Sequence, residues 1–327
     1  MMLRIFFEPA DLGRVRILTG PEPMWEILLS LFRLRSHDGA VLFDGWRRQA
    51  RSRVPGRARL LTGLAPSGVG YFADFLTPTT SVPTLEHSLE AIRRTPRQRL
   101  RTDLATLAGK LPARAMPSWT NALGDGSTES LDMLSTAAQE YFDACLSPHW
   151  QHVQARVDQE RFRLTRSMAE SGVERALTNL HPTARWRSNV LELGYPADHE
   201  LHLCGRGLVL MPSFFCLGLP TSFCDNELQP VLVYPIQHEI GWADNPSSRS
   251  LVPLLGRTRA TALQILATAP CTTSELAKQL NSALATASQH AAVLREAGLV
   301  TSQRIGQAVL HSIAPLGLAL LEGHLEL

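Results

Sequence analysis

Apolar residues recur at helical spacing through most of the first 180 positions, and the period then shortens. Residues 3–7 (LRIFF) predict a short strand, and residues 22–35 predict a helix with Trp25, Leu28, Leu29 and Phe32 on one face. Residues 84–110 read as helical with an interruption at Pro96, whose ring and missing N–H break a helix interior. An apolar stripe of Leu131, Leu134, Ala138, Tyr141, Phe142 and Cys145 predicts a helix over 129–146. A polar helix continues over 149–170, and a short one is expected at 172–179. From there the pattern suits strands at 190–193, 200–204, 208–211 and 231–234, separated by glycine and proline. Gly205-Arg206-Gly207 fits a tight hairpin turn, because glycine tolerates positive φ. Residues 112–127, rich in Pro, Gly and Ser, read as a linker or long loop.

The pattern changes again after Asn245-Pro-Ser-Ser. Leu254, Leu255, Ala262, Leu263, Ile265 and Leu266 make a broad apolar helix face, closed by Pro270. Thr272-Thr-Ser-Glu275 has the spacing of a capping box, in which hydroxyl and carboxylate satisfy N–H groups at a helix start. The helix it opens, 273–280, is expected to bury Leu276, Ala277 and Leu280. Asn281 suits a left-handed turn. A second helix, 284–297, is expected to bury Ala287, Ala291 and Leu294 and to stop at Gly298. Residues 299–304 and 308–313 alternate around Gly306 as a two-stranded wing, and Pro315 starts a closing helix. The fold class expected is α+β, mainly α. A mostly helical N-terminal domain with a small antiparallel β element (1–246, with a possible subdivision near 112–127) precedes a winged helix-turn-helix (247–327).

This C-terminal text resembles the ArsR/SmtB group of winged-helix repressors. The matching segments are LLGRTRATALQIL, TTSELAKQL, ASQHAAVLREAGLV and a wing around RIGQ, the run from Leu294 to Val300 being the most specific. The preceding three quarters of the chain is similar, more loosely, to the long extension of some actinobacterial ArsR-like regulators. The resemblance implies a cytoplasmic, homodimeric repressor that binds double-stranded DNA, pairing through the first and last helices of the module. The helix at about 284–297 would lie in the major groove. Thr286, Ser288, Gln289 and His290 would then reach bases, and Arg304 and Gln307 at the wing tip would meet flanking backbone or minor groove. Ser288 and His290 have a second reading, as residues that hold the turn. The chain departs from the family's usual pattern before the second helix: Ser282 and Ala283 stand where an apolar residue and the capping serine are usual, leaving Ser282 as a substitute cap. Ala291 replaces a common large aliphatic.

Composition narrows the remaining classes. The 327-residue chain is 44% hydrophobic and carries a net charge of only +2, so DNA binding must rest on local patches. Lys110 and Lys278 are the only lysines. Eight arginines between Arg33 and Arg59 face only Asp38 and Asp44. Five scattered cysteines argue against a disulfide framework and for a reducing compartment. No signal peptide or bilayer span is expected, since the most apolar stretch, 207–224, is broken by proline and glycine. His199-x-x-His202-x-Cys204 would put His202 and Cys204 on one strand face, Cys216 and Cys224 are unspecific, and Cys271 stands alone. None makes a convincing ligand set, so no metal and no cofactor are expected. Nucleophile elbow, P-loop, dinucleotide fingerprint and HExxH motifs are absent, so an enzyme is not expected. The alternative is an enzyme or protein-interaction module with a winged-helix appendage. Trp25, Trp46, Trp119, Trp150 and Trp186 are candidates for a ligand pocket or for core, and any small-molecule effector is unidentified.

Overall fold

The computed structural model describes all residues except 69, 79–81, 113–115, 224, 226–227, 240–241, 244–251, 306–307 and 323–327. The chain divides into two compact units, Met1–Ala243 and Asp244–Leu327.

The first unit opens with β1 (Met2–Phe6), α1 (Pro9–Leu12) and β2 (Arg16–Ile17). A helical run follows: α2 (Pro23–Arg35), α3 (Ala40–Arg51), α4 (Ala58–Leu64), α5 (Leu85–Arg93), α6 (Arg97–Lys110), α7 (Thr120–Gly124) and α8 (Thr128–Tyr141). A π-turn at Phe142–Leu146 leads into the long α9 (Trp150–Ser171) and then α10 (Val173–Thr178). The strands β3 (Arg185–Arg187), β4 (Val190–Gly194), β5 (His199–His202), β6 (Val209–Ser213) and β7 (Val231–Pro235) complete the unit. Helix starts follow local chemistry. Glu22 caps α2 by accepting the Trp25 N–H at 2.8 Å, with Pro23 in the first turn. Ser127 caps α8 through the Ser130 N–H at 3.3 Å. The arginine-dense segment, whose charge masks its pattern, contains α3 and α4; Phe43, Trp46 and Ala50 supply the buried stripe of α3.

The β structure corrects the expectation of a small antiparallel element. One sheet has the order β3-β4-β1-β5, with β1 antiparallel to β4 but parallel to β5. The other, β2-β6-β7, is parallel throughout. Nor do β5 and β6 form a hairpin about Gly205-Arg206-Gly207, since they lie in different sheets. Gly207, at φ +71°, passes so close to the chain at Arg14 that an added Cβ would lie 2.4 Å from its carbonyl oxygen. The parallel pairing has a sequence correlate in the nearly continuous apolar text of β6 and β7, typical of strands covered on both faces. Val209, Met211, Val231 and Val233 join the helical core, while Leu210, Leu232 and Tyr234 join a second cluster with Leu3, Ile5, Leu191 and Leu201. The segment 112–127 does not separate the unit into smaller bodies: Leu123 is fully buried, and α6 and α8 on either side contribute to one core. Trp25 and Trp46 belong to that core, and Trp46 Nε1 donates to the Cys145 carbonyl at 2.9 Å.

Two buried carboxyls lie one turn apart at the start of α2, Glu22 as its cap and Glu26 within it. Glu26 accepts the N–H groups of Phe214 (2.8 Å) and Phe215 (2.9 Å) and the Ser213 hydroxyl (3.0 Å), fastening the end of β6 to the helix. Glu22 accepts from Ser88 and Trp25. Burial pushes both carboxyls up to about 7, the neighbouring Glu22 adding to the effect on Glu26. A carboxyl raised in this way binds its proton more tightly in the folded state. Its contribution to stability is complete below the unfolded value and is lost as pH rises through about 7. His149, lowered by burial to about 4, works in the opposite sense over an overlapping window. The Glu26 component is therefore read as a difference. Between pH 4.5 and 7 the melting temperature of the wild type should fall relative to that of Glu26→Gln, which has no proton to lose. Parallel melting curves across that range would show that Glu26 does not titrate there.

Candidate nucleic-acid interface

The second unit contains α11 (Val252–Leu255), α12 (Arg257–Thr268), β8 (Cys271–Thr272), α13 (Thr273–Gln279), α14 (Leu284–Glu296), β9 (Val300–Ile305), β10 (Ala308–Ile313) and α15 (Pro315–Glu322). The three strands form one sheet in the order β8-β10-β9. Ala262, Leu263 and Leu266 of α12, Leu276 and Ala277 of α13, and Ala287, Ala291 and Leu294 of α14 make the core with Cys271, Leu299 and Val300. Ala277 of α13 and Ala287 and Ala291 of α14 are small residues of this one core, which suits close packing of the two helices.

Local signals position α14. The capping box forms: Thr272 Oγ1 accepts the Glu275 N–H at 3.3 Å, and Glu275 Oε2 accepts the Thr272 N–H at 2.8 Å. Asn281 takes a left-handed φ of 49°, turning the chain out of α13. The N-cap of α14 is Ala283, in extended conformation and without a side-chain bond. Ser282 does not substitute. It sits one residue too early, and its hydroxyl is buried without a hydrogen-bond partner. The first-turn N–H groups of α14 therefore have no side-chain acceptor, a state that suits a phosphate oxygen.

With Ala287, Ala291 and Leu294 inward, Thr286, Ser288 and Gln289 are exposed and His290 is half-buried. They share the N-terminal half of one helix, fixed on its inner side by the core. Arg304 is exposed on β9 and opposite Val309 of β10. Gln307, expected at the wing tip, falls outside the described residues.

A histidine not foreseen from sequence ties the wing to the helices. His311 of β10 is buried; its Nε2 lies 2.9 Å from Thr273 Oγ1 on α13 and its Nδ1 2.8 Å from Ser302 Oγ on β9. Burial, with Arg295 nearby, lowers its pKa and favours the neutral ring, which can donate at one nitrogen and accept at the other. The register of β9 and β10, which sets Ser302 opposite His311, makes this bridge possible. Replacing His311 with Phe removes both bonds and should destabilise this unit by about 1–3 kcal/mol. An unchanged thermal midpoint for the unit would mean that the bridge contributes nothing.

The other candidates do not assemble. Cys204 is exposed past the end of β5 at a left-handed φ of 49°, so it does not continue the strand face of His202. His202 stacks on Phe6 at 4.4 Å, and His199 lies against Tyr195. Cys271 is buried, and Cys224 falls outside the described residues. Among the described residues no group of three His, Cys, Asp or Glu side chains is arranged to hold a metal ion. No described helix is long and apolar enough to cross a membrane.

Residues 257–302 match the family model of the bacterial regulatory proteins of the arsR family. The match covers α12 through the first half of β9, all of it within the second unit. No curated protein matches the chain. The solved structures it resembles include HlyU from Vibrio cholerae, 26% identical over 23% of this chain and 85% of that one, with a TM-score of 0.20. Reduced HlyU from the same organism is 25% identical over 25% of this chain and 92% of that one, also with a TM-score of 0.20.

Proposed function

We propose that this protein is a sequence-specific transcriptional regulator that binds double-stranded DNA, a homodimeric repressor of the ArsR type that acts without a metal or catalytic chemistry. The observation that carries this reading is the N-terminal half of α14. It presents Thr286, Ser288 and Gln289 to solvent from a packed helix-turn-helix, in a segment that matches the arsR-family model. Gln pairs bidentately with adenine, and Ser and Thr serve bases or phosphate. His290, half-buried, contacts DNA from the edge of the same face. Arg304 reaches the backbone beside the groove, with Gln307 in the same role.

Dimerisation is supported by apolar side chains left uncovered on the first and last helices of the unit. Leu254 is 70% exposed, Leu316 46% and Leu318 39%. Two copies joined there would place their α14 helices about one DNA turn, ~34 Å, apart, on the half-sites of an inverted repeat. A cytoplasmic location follows from this role.

The test is selection of duplex DNA from a random pool by the full-length protein, followed by footprinting and sedimentation of the complex with chelator present. An enriched inverted repeat protected by two protomers is expected, with binding unaffected by the chelator. Failure to enrich any sequence sinks the reading, a monomer on a single half-site sinks the dimer, and loss of binding with chelator sinks the metal-free mode.

A further inference from the structure

The winged-helix module is weakly charged for a DNA binder. From residue 251 to the end, Arg257, Arg259, Lys278, Arg295 and Arg304 stand against Glu275, Glu296, Glu322 and Glu326. The positive charge of the chain is concentrated elsewhere, and the structure sorts it. Arg47 is buried and donates to the Arg33 carbonyl and to Asp44, both at 2.6 Å. Arg35 donates to the carbonyls of Leu31 (3.0 Å) and Ala65 (2.6 Å), and Arg33 faces Asp38 at 3.9 Å. These three hold the fold. Arg48 is exposed and engaged, and Arg57 pairs with Glu140.

Arg51, Arg53 and Arg59 differ. All three are exposed, and none has an ion pair or side-chain hydrogen bond among the described residues. Arg51 ends α3, Arg53 lies in the turn after it, and Arg59 is in the first turn of α4. The turn is ordered: the Arg53 and Val54 N–H groups donate to the Ala50 carbonyl at 2.8 and 3.0 Å, and the Ala58 N–H donates to the Pro55 carbonyl at 3.0 Å. No acidic residue occurs from position 45 to 73. Asp44 is taken by Arg47 and Glu140 by Arg57. The field of Arg53 also reaches His149, where it adds to burial in keeping that ring neutral.

We propose that Arg51, Arg53 and Arg59 form a second DNA-contacting surface, on the N-terminal unit, that binds backbone phosphates of duplex DNA. The inference rests on the DNA-binding reading above. Guanidinium groups on an ordered turn match phosphodiester oxygens in charge and geometry. A lipid surface would ask for apolar side chains beside the cations. Among the described residues from 45 to 73 no large apolar side chain is exposed.

The experiment measures binding of the full chain to a random-sequence 30-base-pair duplex at several salt concentrations. Each phosphate neutralised contributes a log–log slope of about −0.9. The variant R51A/R53A/R59A should flatten the slope by about 2.7 per protomer, while R304A flattens it by about 0.9. R51K/R53K/R59K should keep the wild-type slope. A triple-alanine variant with the wild-type slope, beside a flattened R304A, overturns the surface and leaves the DNA-binding reading intact. Absence of duplex binding by the wild type overturns both. Slopes that flatten only together with a lowered melting temperature, in alanine and lysine variants alike, assign the arginines to folding and overturn the proposal. So does a triple-alanine variant that loses binding to phosphatidylglycerol vesicles but keeps its slope on DNA.

Discussion

Glu26→Ala should be among the most destabilising single substitutions in the N-terminal unit. The side chain is 1% exposed and accepts from the Phe214 and Phe215 N–H groups and the Ser213 hydroxyl. Alanine leaves three donors buried at the end of β6 without an acceptor. Each stranded donor costs about 1–3 kcal/mol, so a loss of several kcal/mol is expected, a large fraction of the 5–15 kcal/mol typical of a domain. Glu26→Gln keeps the shape and an acceptor oxygen and should lose less. Urea unfolding of both variants, followed by fluorescence of the buried tryptophans Trp25 and Trp46, reads the difference. If alanine and glutamine cost the same, the donors find water or one another, and Glu26 does not clamp α2 to the sheet.

The second large effect concerns recognition. Gln289→Ala should weaken binding to the selected operator by about 1–3 kcal/mol, roughly five- to 150-fold, and relax preference at one base position. The salt slope should stay nearly unchanged, because the lost contact is to a base edge and not to a phosphate. Since Gln289 is exposed on α14, the substitution leaves the core untouched, and the melting temperature should match the wild type. Wild-type affinity and specificity in this variant would mean that another face of α14, or another element, reads the DNA.

Much of the second unit is legible in the sequence because its signals are local. The capping spacing of Thr272 and Glu275 forms the bonds it predicts, Asn281 adopts the left-handed turn its chemistry allows, and Ala287, Ala291 and Leu294 are buried at helical spacing. The cap of α14 is where local reading fails. A serine one position early cannot reach the first-turn N–H groups, whatever its propensity. Exposure of Thr286, Ser288 and Gln289 follows from the same period that buries their neighbours.

In the first unit the sequence indicated α2, α5, α6, α8, α9, α10 and most strands, because period and proline breaks are properties of neighbouring residues. It did not reveal α3 and α4, whose arginines outnumber a narrow apolar stripe. Strand partners were decided only by the tertiary structure. β1 pairs with β4 and β5, almost two hundred residues away, and β2 with β6 at similar separation. The nearly continuous apolar text of β6 and β7 marks strands covered on both faces, but a strand's own text does not name its partner, because that choice depends on what the rest of the chain covers. Likewise the sequence shows that Glu22, Glu26 and His311 are polar. Only the packed structure makes them buried, bonded across elements and shifted in pKa, because desolvation depends on everything that surrounds a group and not on its neighbours in the chain.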